Sequence, residues 1–128
     1  MEIFVIFIGG GIGACLRYIF SLVANEKFNL AHWSTFFINI LGCVLIGFVV
    51  GLVSKYPDVI NHNAYLFLTT GIAGGFTTFS TFSLENINLL KEGKVFQSIL
   101  YMNLSLFLGV ISIFVGFKFA GIFLDNIF

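Results

Sequence analysis

The residues with most chemical capacity in this chain are small polar ones set inside apolar sequence. Residues 71–83 read Gly-Ile-Ala-Gly-Gly-Phe-Thr-Thr-Phe-Ser-Thr-Phe-Ser. In hydrocarbon, every backbone donor and acceptor must find a partner within the protein. A glycine pair followed by a hydroxyl-rich run opens a membrane helix rather than extending it. Freed carbonyls suit a cation such as sodium, while hydroxyls, amides and phenyl edges suit a small anion. Beyond Thr77 the helix resumes, so Phe79 and Phe82 share one face, Ser80 and Ser83 another, and Thr77 and Thr81 a third. Phenylalanines interleaved with hydroxyls in an opened helix point to a pore wall.

Other polar groups fall at helical spacing in the remaining apolar runs. Thr35 and Asn39 lie at i, i+4, and Asn39 offers two amide N–H donors without a charge. Tyr101, Ser105 and Ser112 share a face of the last run. Their plainer reading is hydrogen bonding between helices. Arg17 either snorkels to the interface or faces an aqueous vestibule. Glu85 is the only deep carboxylate, and its plainer reading is an interfacial acid near a helix end. Lys118 is near enough to an end to snorkel.

Several apparent signals carry no chemistry. Gly9, Gly11 and Ala14 match G-x-G-x-x-A, but no strand precedes them, so close packing through Gly9 and Gly13 is the expectation. Gly42, Gly47 and Gly51 read as packing contacts. Cys15 and Cys43 lack metal-ligand or disulfide spacing and read as small buried hydrophobes. His32 and His62 fall in expected loops. No nucleophile–base pair, metal cluster or phosphate loop is visible, so the chain is not read as an enzyme.

These groups need apolar helices to position them. The 128 residues are 59% hydrophobic and 9% charged, far below the roughly one quarter charged of a soluble domain. Balanced charge, with six basic and six acidic residues, argues against a nucleic-acid partner. A helix needs about 20 apolar residues to cross a bilayer. Four runs qualify, at 3–24, 33–54, 64–90 and 95–124, joined by short loops at 25–32, 55–63 and 91–94. The first run lacks a basic start and a cleavage site, so it reads as a retained helix. The expectation is one all-α transmembrane domain over 1–128, with four helices and a break in the third.

Orientation is nearly undetermined. Lys55 and Lys118 fall on the side of the termini; Lys27, Lys91 and Lys94, with Arg17, fall on the other. Basic residues set orientation, and this bias is close to a tie. Insertion both ways makes an antiparallel homodimer available, with its two-fold axis in the membrane plane.

Together, residues 10–18 (Gly-Gly-Ile-Gly-Ala-Cys-Leu-Arg-Tyr), Thr35 with Asn39 and Gly42, and residues 74–82 resemble the Fluc family of fluoride channels, also called CrcB proteins. The resemblance spans all four runs. It implies a dual-topology antiparallel homodimer in a prokaryotic inner or plasma membrane, exporting fluoride passively to relieve its toxicity. It implies that Phe79 and Phe82 meet fluoride through their ring edges and that Asn39 lines the pore. Ser80, Thr81, Tyr101 and Ser105 would complete its polar side, with Arg17 and Glu85 near vestibules. The carbonyls of Gly74 and Thr77 from both subunits would hold a central structural sodium ion (Na+). Two other classes remain open on the residues alone. One is a proton-coupled exporter working through Glu85. The other is a non-transporting membrane subunit, which leaves the break without a purpose.

Overall fold

The computed structural model describes residues 1–28 and 31–125, and nearly all of them are helical. Helix α1 spans Glu2–Phe28 and α2 spans Ala31–Lys55. The next stretch is assembled from pieces: α3 (His62–Leu66), a π-helical segment (Phe67–Ala73), α4 (Gly74–Phe76) and α5 (Phe79–Lys91). Helix α6 spans Val95–Asp125. Three helices, α1, α2 and α6, are long and apolar enough to cross a membrane. The fourth apolar run is divided, so no single helix in it reaches that length.

Local sequence accounts for the boundaries. α1 continues past the expected loop start at residue 25 because Asn25-Glu26-Lys27 holds no glycine or proline. His32 lies in α2 rather than a loop, and its side chain is outside the described residues. His62 opens α3 and lies 3.4 Å from the Glu2 carboxylate. Asn61 caps α3 by accepting from Ala64 N at 2.8 Å. Thr78 caps α5, its hydroxyl accepting from Thr81 N at 3.2 Å. Gly93 closes α5 at φ +74°, where L side chains are strained, and Lys94 N bonds back to Leu89 O at 2.9 Å.

Close backbone approach sets the helix partners. α1 lies against the π segment and α4; α2 lies mainly against α6. A Cβ on Gly71 would meet Gly9 Cα at 2.9 Å, and one on Gly13 would meet Phe76 N at 2.8 Å. Gly47, Gly51 and Gly116 stack the α2 and α6 backbones in the same way. Small residues let helices meet where lipid offers no hydrophobic drive. Lys55 pairs with Asp125 and ties the last turns of α2 and α6 together. Lys118 lies over the Phe114 ring at 5.4 Å. Cys15 is exposed rather than buried, because α1 turns its glycine face, not its cysteine, toward the π segment.

Candidate functional site

The interruption between α4 and α5 falls on Thr77 and Thr78, both extended, with ψ of 157° and 115°. The glycine pair was the expected opening point, yet Gly74 and Gly75 remain helical. Gly75 instead admits α1, since a Cβ there would meet Gly10 Cα at 2.9 Å. Phe76 packs edge-on against Phe20, with centroids 6.4 Å apart. Gly42 on α2 makes room for the Thr77 methyl.

Asn39 grips the extended turn from α2. Its Nδ2 donates to Thr78 O at 3.2 Å, and its Oδ1 accepts from Thr78 N at 2.8 Å. An unbroken helix would give the Thr78 N–H to the Gly74 carbonyl. It would likewise give the Thr81 N–H to the Thr77 carbonyl, but that donor goes to Thr78 Oγ1. The carbonyls of Gly74 and Thr77 are thereby released from the α-helical ladder. Arg17 Nη1 donates to Thr77 O at 3.3 Å, leaving that oxygen its second lone pair. Two released carbonyls three residues apart, one at the start of α4 and one at its end, are suitable ligands for a hard monovalent cation. Among the described residues no cluster of three or more His, Cys, Asp or Glu gathers.

Two cavities meet at this clamp. One of about 350 Å³ is lined by Asn39, Phe79, Phe82, Met102, Ser105 and Leu106. The Phe79 and Phe82 rings lie 5.8 Å apart, and Phe82 meets Tyr101 edge-on at 5.0 Å. The Ser105 hydroxyl is buried without a hydrogen-bond partner. Asn39 retains one N–H beyond the one given to Thr78. The second cavity, about 330 Å³, is mostly polar, and its wall includes Arg17, Ser21, Thr35, Thr78, Ser80 and Thr81. Ser80 and Thr81 therefore face the arginine, while Phe79, Phe82 and Ser105 gather on the other side of the clamp.

Glu85 joins three elements. Its Oε1 accepts from Thr35 Oγ1 at 2.7 Å and its Oε2 from Tyr101 OH at 2.8 Å. The carboxylate is half-buried and held between α2 and α6. Tyr101 is accordingly occupied by Glu85 and stands behind Phe82 rather than in the 350 Å³ cavity. Ser112 bonds back to Leu108 O at 2.6 Å and adds nothing to the cavity.

Sequence reasoning missed two features. The Thr78 backbone clamp depends on a partner 39 residues away. Its only local trace is the Thr78-x-x-Thr81 cap. The buried pair Asn86 and Ser98, bonded at 2.9 Å, extends the α6 polar stripe one turn before Tyr101.

Comparison with known proteins places this arrangement. The family model described as CrcB-like protein, Camphor Resistance (CrcB), matches residues 4–117. A protein of Flavobacterium psychrophilum is 43% identical over 115 residues, covering 89% of this chain and 92% of its own. One from Phocaeicola vulgatus is 42% identical over 116 residues, covering 90% and 94%. One from Thermus thermophilus is 39% identical over 115 residues, covering 89% and 90%. Each bears the name fluoride-specific ion channel FluC, that of a channel rather than an enzyme. With its apolar helices and a match over most of its length, the chain is a membrane protein that belongs to the CrcB-like family.

Proposed function

We propose that this chain is a fluoride-selective channel, exporting fluoride passively across a prokaryotic inner or plasma membrane and so relieving fluoride toxicity. The carrying observation is the cavity between Phe79, Phe82, Asn39 and Ser105, in which a buried hydroxyl has no protein partner. A buried donor without a partner costs about 1–3 kcal/mol, so such a group is retained where a ligand completes it. The relatives named fluoride channels support the same reading.

The donors fit a small, strongly hydrated anion. On entering, fluoride exchanges water for the Ser105 O–H, the free Asn39 N–H and the positive ring edges of Phe79 and Phe82. None of these groups is charged, so none holds the ion as tightly as a fixed cation would. That balance lets an anion both enter and leave. Arg17, with Ser80 and Thr81 at the start of α5, draws anions to the neighbouring polar cavity, where the helix N-terminus adds positive potential. Glu85, held by two hydroxyl donors, lies behind these walls.

Two further assignments complete the proposal. The chain acts as an antiparallel, dual-topology homodimer, which covers the 79% exposed Phe79 and the exposed Gly74. The released Gly74 and Thr77 carbonyls of both subunits bind a central sodium ion. When bound, that ion supplies fixed positive charge that joins the two turns and offsets the anion's charge.

Liposomes loaded with potassium fluoride and containing the purified protein test the reading directly. After valinomycin is added, a fluoride electrode should record rapid release, with no matching chloride release from chloride-loaded vesicles. No fluoride release from well-folded protein would overturn it. Transport that requires a pH gradient and vanishes in Glu85→Gln would replace it with proton-coupled export.

A further inference from the structure

Asn86 and Ser98 are polar residues in a place where apolar ones would pack. Ser98 has no exposed surface and Asn86 only 5%. Ser98 Oγ donates to Asn86 Oδ1 at 2.9 Å, and Asn86 Nδ2 donates to Phe82 O, also at 2.9 Å. The only other buried residue of α5 is Leu89. An apolar contact resists separation of two helices but tolerates rolling. A hydrogen bond is directional, and in a dry setting its loss strands both groups.

The bond is placed to matter for the cavity. Asn86 lies one turn after Phe82 and grips its carbonyl. Ser98 lies three residues before Tyr101, against whose ring Phe82 packs at 5.0 Å. The Phe82–Tyr101 contact and the Asn86–Ser98 bond thus join the same two helices on neighbouring turns. Rolling α5 about its axis would swing the Phe82 ring out of the cavity wall it shares with Ser105.

We propose that the Asn86–Ser98 bond sets the rotation of α5 on α6 and thereby seats Phe82 at the cavity, a positioning role that rests on the conduction reading above. Neither residue touches the permeating ion. Both act through Phe82, and they act as one unit, because removing either partner breaks the same bond.

The test uses the full-length protein in three forms: Asn86→Leu, Ser98→Ala and the double variant. The single variants leave a buried polar group unpaired, whereas the double removes both partners, a change that is nearly neutral for folding. The chain holds 18 phenylalanines, so para-fluorophenylalanine is introduced at position 82 alone and followed by fluorine NMR. Fluoride release from liposomes is measured on the same proteins. All three variants should shift the position-82 resonance in the same direction and slow fluoride release about tenfold, the low end of what losing a partner that orients a metal ligand costs, and Ser98→Ala should add nothing on top of Asn86→Leu. The effects should be non-additive in a double-mutant cycle. An unchanged resonance and flux in a folded double variant would overturn the proposal, as would additive effects of the two single changes. If the resonance moves in the variants while wild-type protein releases no fluoride, the channel reading fails and the positioning role stands.

Discussion

In the proposed channel, Ser105 and Phe79 would divide the work of the cavity between a point donor and a diffuse one. A hydroxyl offers one strong hydrogen bond, whereas a ring edge offers a weaker, broader positive rim. Ser105→Ala removes the donor but keeps the helix, so fluoride release should fall about tenfold with protein yield unchanged, the size of one lost hydrogen bond. Phe79→Ile removes the rim, and release should drop below detection while the protein elutes as wild type. Normal flux in both variants would move the pathway elsewhere. Spacing grouped Phe79 and Phe82 with hydroxyls in the sequence, whereas Asn39 read by spacing as an interhelical hydrogen bond and joined them only through the family resemblance; the structure brings all three to one cavity. Glu85 was not legible. Its two donors lie 50 and 16 positions away, and nothing local distinguishes a carboxylate held by Thr35 and Tyr101 from one in solvent.

At the scale of elements, glycine decides which helices touch. A Cβ on Gly116 would fall 2.8 Å from Phe48 N, so Gly116→Ala must push α6 off α2. Gly121, five residues further along, faces open space. Gly116→Ala should therefore yield little folded protein by size-exclusion chromatography, whereas Gly121→Ala should elute as wild type. Equal behaviour would mean that α2 and α6 are held chiefly by side chains. The apolar runs placed α1, α2 and α6 correctly because uninterrupted hydrophobic length is a local property. The interruption in the next run lies further along than its glycines imply. Gly75 is used for contact with α1, and a threonine cap together with a distant asparagine redirects the chain.

The whole molecule presents apolar side chains over most of α1 and α6 and nearly balanced charge at its two ends. Lipid accounts for apolar exposure, but not for the exposed Gly74 beside a released carbonyl. In a dual-topology dimer, a cysteine in the loop between α2 and α3 faces both compartments across the population. Asp58→Cys, in a chain with Cys15 and Cys43 changed to serine, should be labelled to about half by an impermeant maleimide added to intact cells, because a near-tie in loop charge gives no preferred orientation. Labelling of all molecules or none would show a single orientation and would remove the antiparallel assembly.

The grip of Asn39 on Thr78 makes one helix answerable for the shape of another. The opening between α4 and α5 is held from α2, not by its own segment. Before the two meet, residues 62–91 have no partner for a released amide, and in lipid the lowest-cost state for such a stretch is continuous helix. The opening is therefore conditional on α2: without that helix, the helical partner of the Thr78 N–H is the Gly74 carbonyl.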